Sequence, residues 1–239
     1  MVMKAFFRKL TYLLPALAFL TLLSCAAGIQ GNISSNGSSS VNIKMSLEPA
    51  MTVLLQKMAA AGGQTGQILN AAEMAASFSG APGVSSVTFG NTSSTSVSGE
   101  LKISKIGDFL TAPNSGGFIV FDQEKAGGKC VININRKDGP KILKLLSAEI
   151  SDYLNALMAP IATGEEMTKS EYLELVASFY SKPVSDEIAS SMIRASVDFP
   201  GAITGVKGGT FSGKKASFNI SLLDLFVLET PLVYEVTWK

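Results

Sequence analysis

The chain has no histidine, one tryptophan and two cysteines in 239 residues, and charged side chains make up only 16% of it. Each shortage excludes something. Without histidine the sequence lacks the commonest general base at neutral pH and the commonest zinc ligand. Two cysteines cannot build a disulfide framework, and Cys130 alternates with Ile132 and Ile134 as an inert thiol on a strand face would. Twenty basic residues face 19 acidic ones, so there is no basic excess to attract nucleic acid. Beyond Cys25 no apolar run approaches the roughly 20 residues that a helix needs to cross a hydrocarbon core.

What is present begins with an address. Met1 to Lys9 carries Lys4, Arg8 and Lys9, Leu10 to Leu23 is almost continuously apolar, and small Ser24 precedes Cys25. This reads as a secretory signal, residues 1–24, too short for a permanent membrane span. Leu22-Leu23-Ser24-Cys25 resembles the processing site of bacterial lipoproteins. The resemblance implies cleavage before Cys25, a diacylglycerol on its thiol and an acyl chain such as palmitate on the new amino group. The expected location is the cell envelope, outside the cytoplasm and lipid-anchored to a membrane, with inner and outer membrane both open. Two or three acyl chains anchor stably where one does so only marginally. Cys130 would then have no intramolecular partner. Removing the signal leaves 17 basic and 19 acidic residues, a formal charge of −2.

The remaining length suits a single domain. Residues 25–40, rich in Gly, Ser and Asn, read as a lipidated cysteine followed by a flexible tether that would hold the domain on the order of 20 Å from the bilayer. The folded part is expected over 41–239. Val41, Ile43, Met45 and Leu47 alternate with polar residues as a half-buried strand does. Pro49 opens a helix that Gly62-Gly63 ends, and Ile68 to Phe78 carries a second. Strands follow over Val84–Phe89, Thr95–Ile103, Phe118–Phe121 and Val131–Asn135, with turns expected at Gly90-Asn91, Gly116-Gly117 and Gly127-Gly128.

The period then changes. Ile142, Leu145, Leu146, Ile150, Tyr153, Leu154 and Leu157 form the apolar stripe of one long amphipathic helix, ended by Ala159-Pro160. Thr168 to Glu171 is a capping box for a helix with Tyr172, Leu173, Val176, Phe179 and Tyr180 on its apolar face and Pro183 as its stop. A short helical turn is expected from Asp186 to Met192. Strands return at Ile193–Phe199, Ala216–Leu222 and Val233–Trp238. Two helices between two groups of strands predict an α+β fold, a mostly antiparallel sheet packed on amphipathic helices.

Val197-Asp198-Phe199-Pro200-Gly201, the Gly208-Gly209 turn with Gly213, Phe218 to Leu222, Pro231 and Tyr234-Glu235-Val236-Thr237-Trp238 resemble the C-terminal half of LppM-type envelope lipoprotein domains. The opening strand and its helix suit the same layout. The resemblance implies a non-enzymatic domain that contacts lipids or glycolipids, and it transfers no catalytic residue. Unlike members that end in a transmembrane helix, the chain stops at Lys239, which leaves the lipid as the expected sole anchor.

Signals for catalysis fail on context. Gly208 to Lys215 has Lys where a P-loop needs Ser or Thr, and it lies between strands rather than before a helix. Ser212 to Lys215 satisfies S-x-x-K without the accompanying K-T-G. Glu165-Glu166 and Asp186-Glu187 occupy loop or helix-start positions, where solvation or the helix dipole accounts for them, and nothing selects a glycosidase pair among them. The expectation is a protein that is not an enzyme, with no cofactor and no metal. Two functions fit. One is a membrane-anchored binding module for a lipid or other apolar ligand, with Met51, Leu54, Met58, Ala72 and Met74 on the first two helices as the adaptable wall. The other is a structural or assembly protein that binds an envelope protein through a sheet edge or helix face.

Overall fold

Strand β1 (Cys25–Ile33) lies in the middle of a sheet, where the composition suggests a tether. Ala27 and Ile29 are buried on one side, with Gln30 and Asn32 exposed on the other. The small side chains disguise an ordinary period-two pattern. The computed structural model describes residues 25–61, 68–111, 117–124, 127–143 and 148–239. The expected signal segment 1–24 lies outside them, and so does the expected stop at Gly62-Gly63.

A turn with Gly37 at φ +81° leads from β1 into β2 (Ser39–Leu47), which pairs back from Ile33↔Ser39 to Cys25↔Leu47. Helix α1 (Pro49–Ala61) opens with the amides of Ala50 and Met51 donating to the Glu187 carboxylate at 2.7 and 2.8 Å. A distant acidic side chain thus satisfies donors that the helix cannot. Helix α2 (Ala71–Phe78) is capped by Asn70, whose side chain accepts from the Ala72 and Glu73 amides. The next hairpin joins β3 (Val84–Ser93) to β4 (Ser96–Ile103). Gly90-Asn91 is part of β3 and not the turn expected there. Asn91 is drawn into tertiary contact instead, accepting from the Ala71 amide and donating to the Leu69 carbonyl.

Helix α3 (Ile106–Leu110), which no pattern announces, leads to β5 (Ile119–Glu124) and β6 (Gly127–Ile134). The long helix expected over Ile142–Leu157 is described as α4 (Gly139–Leu143) and α5 (Ala148–Ala156), with 144–147 outside the described residues. Ile142, Leu154 and Leu157 of its stripe are fully buried, while Leu145 and Leu146 fall in the gap. Pro160 begins α6 (Pro160–Thr163), because a proline at the first helical position loses no hydrogen bond.

The capping box before α7 (Lys169–Phe179) is present in both directions: the Glu171 amide donates to the Thr168 hydroxyl, and the Thr168 amide donates to the Glu171 carboxylate. Tyr172 and Val176 are buried as the spacing predicts, but Phe179 is 67% exposed. Pro183 does not stop the chain's helical course. It sits in the first turn of α8 (Lys182–Ser190), which replaces the turn expected from Asp186.

The chain then returns through β7 (Met192–Asp198), β8 (Ile203–Lys207), β9 (Thr210–Ser212) and β10 (Lys215–Ser221), and passes a buried helix α9 (Leu222–Val227) to β11 (Leu232–Trp238). The larger sheet has the order β3-β4-β2-β1-β7-β10-β9, and the smaller β5-β6-β11-β8. Among the described residues all neighbouring strands are antiparallel except β1 and β7. The fold is α+β, as expected, but with two sheets, in each of which the late strands join the early ones side by side. The helices and the smaller sheet share one face of the larger sheet, where Ile43, Met45, Val97 and Ile193 are buried. Near the chain's end Trp238 packs on the rings of Phe199 and Phe121, with centroids 4.9 and 5.9 Å away.

Candidate binding cavity

The two sheets do not fill the space between them. A cavity of about 160 Å³ remains, walled by Ile29, Gly31 and Ile33 of β1, Val41 and Ile43 of β2, Leu101 and Ile103 of β4, and Ala195 and Val197 of β7. The smaller sheet closes it with Ile119, Cys130, Ile132, Tyr234 and Val236, and α3 contributes Ile106, Phe109 and Leu110. Alternation explains the wall: odd-numbered residues of β1, β2, β4 and β7 all face inward. Gly31 matters to the volume. A Cβ built there would meet only ordinary contacts, the Ser40 carbonyl oxygen and Val41 Cγ2 at 3.7 Å and Val197 Cγ2 at 3.8 Å. The glycine is therefore not forced by packing, and its missing side chain leaves room.

Polar side-chain atoms on this wall come from Ser39, Cys130 and Tyr234. Burial pushes the Cys130 thiol up to about 12, so at neutral pH it is a protonated, unreactive group. Burial, and after it the charge of Asp224, raises the Tyr234 phenol above its ordinary value, so it too stays neutral. Such a lining can surround an apolar group and can neither activate a nucleophile nor hold a charge. An engineered apolar cavity of about 150 Å³ stays dry and binds benzene, whereas sites for drug-sized ligands span about 300–1,000 Å³. The space fits the end of an acyl chain or a group of that size.

None of the five residues expected as a ligand wall lines this cavity. Met51 is fully buried in the main core, and Leu54, Met58 and Met74 pack half-buried against it. Ala72 is exposed on α2. Cys25 is the first residue of β1, opposite Leu47, at the end of the sheet from which α1 departs. The carboxylates considered for catalysis are dispersed. Glu187 caps α1, Asp186 pairs with Lys182 at 2.6 Å, and Glu166 lies 3.7 Å from Arg136. Among the described residues no group of three metal-ligating side chains forms. Gly208 to Lys215 spans the link from β8 in the smaller sheet to β9 in the larger and the β9–β10 hairpin, with Gly208 and Gly213 at φ +76° and +59°. The cavity-lining residues that sequence reasoning missed, Gly31 and Ile33 above all, carried one signal, the odd-position run Ala27, Ile29, Gly31, Ile33.

Fold and cavity define a two-sheet α+β domain with apolar space between its layers. No protein-family model matches the chain, and no curated protein matches it. Among solved structures it is similar to the folded domain of Mycobacterium tuberculosis LppM, determined by NMR, at 10% identity and a TM-score of 0.43 over 90% of either chain. No residue of this chain takes a role from that likeness.

Proposed function

We propose that the protein is an exported, lipid-anchored envelope module, non-catalytic, that binds the apolar end of a lipid or similar molecule between its sheets. The observation that carries the reading is the cavity, walled from both sheets almost wholly by aliphatic and aromatic side chains. Apolar burial then supplies the affinity, at about 25 cal/mol per Å² removed from water. The test exploits Gly31. Gly31→Val places a β-branched side chain, favoured in strands, into the empty space. Calorimetric binding of decanoate to the full chain should weaken by at least about tenfold, while the thermal midpoint holds or rises, since an interior strand glycine costs roughly 0.5–1 kcal/mol. Absence of decanoate binding by the unaltered chain would remove the apolar-ligand function.

The anchor is a separate part of the proposal, supported by the Leu22-Leu23-Ser24-Cys25 pattern. Because β1 starts at Cys25 itself, acyl chains on that residue would set the domain directly on the bilayer, with no spacer. Cys25→Ser should abolish incorporation of labelled palmitate and release the protein from the membrane fraction or leave it unprocessed. Labelling and cleavage unchanged in this variant would place the anchor elsewhere.

A further inference from the structure

The face of the larger sheet turned away from the cavity carries a site of opposite chemistry. We propose that it binds a small phosphate-bearing solute in a groove between Lys44 and Arg194, over Gly28. The registers of β2, β1, β7 and β10 align Lys44↔Gly28, Gly28↔Arg194 and Arg194↔Asn219 in one row across four strands. The next row brings Asn42 beside Gln30. These residues surround a groove of about 410 Å³, within the range of small-molecule sites. With neighbouring strands about 4.8 Å apart, the two cations start about 10 Å from each other, and their long side chains can converge on one anion.

Charge favours a dianion. Among the described residues neither Lys44 nor Arg194 has an ion-pair partner. The nearby acids of the same face are engaged: Glu100 with Lys102 at 3.8 Å and with the Ser40 hydroxyl, and Asp198 with Lys215 at 3.6 Å. A phosphate monoester carries about −1.5 to −2 at neutral pH, which matches two cations. Arg offers its planar fork to phosphate oxygens and Lys a point charge. The amides of Asn42, Gln30 and Asn219 supply donors and acceptors for hydroxyls on the remainder of the ligand.

Gly28 is the independent sign. Its φ is not left-handed, and a Cβ built on it meets nothing within 4 Å. Neither a turn nor close packing of the chain requires glycine there, and an interior strand glycine often marks close approach of a ligand. What its bareness does is keep the floor of the groove open between the two cations. A concave space of this size admits a whole small solute, whereas a bilayer presents headgroups as a flat layer that would meet the rims first.

This inference is independent of the apolar cavity, and one titration separates them. The full chain carrying Cys25→Ser, in non-ionic detergent at low salt, is titrated with glycerol 3-phosphate, with glycerol as the neutral control. Glycerol 3-phosphate should bind and glycerol should not. Gly28→Thr, which fills the floor and suits a strand, and Arg194→Gln should each weaken binding at least about tenfold, with thermal midpoints and decanoate binding unchanged. Glycerol 3-phosphate binding no better than glycerol, or binding untouched in both variants, would overturn the site. Capture by phosphatidylglycerol vesicles without any binding of glycerol 3-phosphate would overturn the solute reading and make this face a membrane contact.

Discussion

A chain shortened to begin at Val41 should lose the cooperative unfolding transition of the full protein. The cut falls where composition places the start of the folded domain, yet it removes β1, the strand that joins β2 to β7. Without it the larger sheet separates into β3-β4-β2 and β7-β10-β9. The backbone groups of β2 facing β1, and those of β7 from Ile193 to Asp198, would lose their partners. Unpaired buried backbone groups each cost about as much as a lost hydrogen bond, and two new edges invite association. Ala27 and Ile29 also leave the main core. Circular dichroism in urea should therefore show a broad, non-sigmoidal change, and size exclusion should show aggregates. A sharp transition near the midpoint of the full chain would mean that β1 is peripheral to stability.

The same strand shows why some of the architecture was legible and some was not. Where large β-branched or aromatic residues alternate, as in Val41 to Leu47 and Val233 to Trp238, the strands were plain in the sequence, as was the capping box at Thr168. In β1 the alternation is carried by Ala and Gly, whose small side chains weaken the hydrophobic signal while Ser and Asn around them imitate a linker. Tertiary partners also redirected local signals: Asn91, a good turn residue, is held in β3 by the start of α2, and Pro183 initiates a helix rather than ending one. The candidate site was displaced for a related reason. Methionine-rich helices suggested an adaptable wall, but the space lies between two sheets, and the existence of the second sheet depends on β11 pairing with β6 across nearly half the chain. No local pattern encodes such a contact.

Helix α9 is the other element that pattern concealed, and it predicts the largest effect of a single substitution. Leu222, Leu223, Leu225, Phe226 and Val227 are all buried, so the segment has no polar face to reveal a helical period. It is fastened at its first turn: the Ser221 hydroxyl accepts from the Asp224 amide at 3.2 Å, and the Asp224 carboxylate accepts from Lys169 at 2.7 Å. Leu228 ends it at φ +47°, a left-handed conformation unusual for leucine, and the buried Leu228 side chain shows what packing maintains it. Phe226 is fully buried, its ring edge-on to Tyr172 with centroids 6.3 Å apart. Removing that ring withdraws contacts from α7 as well as α9, so Phe226→Ala should cost about 3–5 kcal/mol, a large part of the roughly 5–15 kcal/mol typical of a domain. Phe179→Ala is the matched control. It deletes the same side chain from α7 at a position 67% exposed, and the expected change is within about 0.5 kcal/mol. Urea denaturation of the two variants beside the unaltered chain measures the difference directly. A gap between them smaller than about 1 kcal/mol would show that α9 yields without loss and is not part of the core.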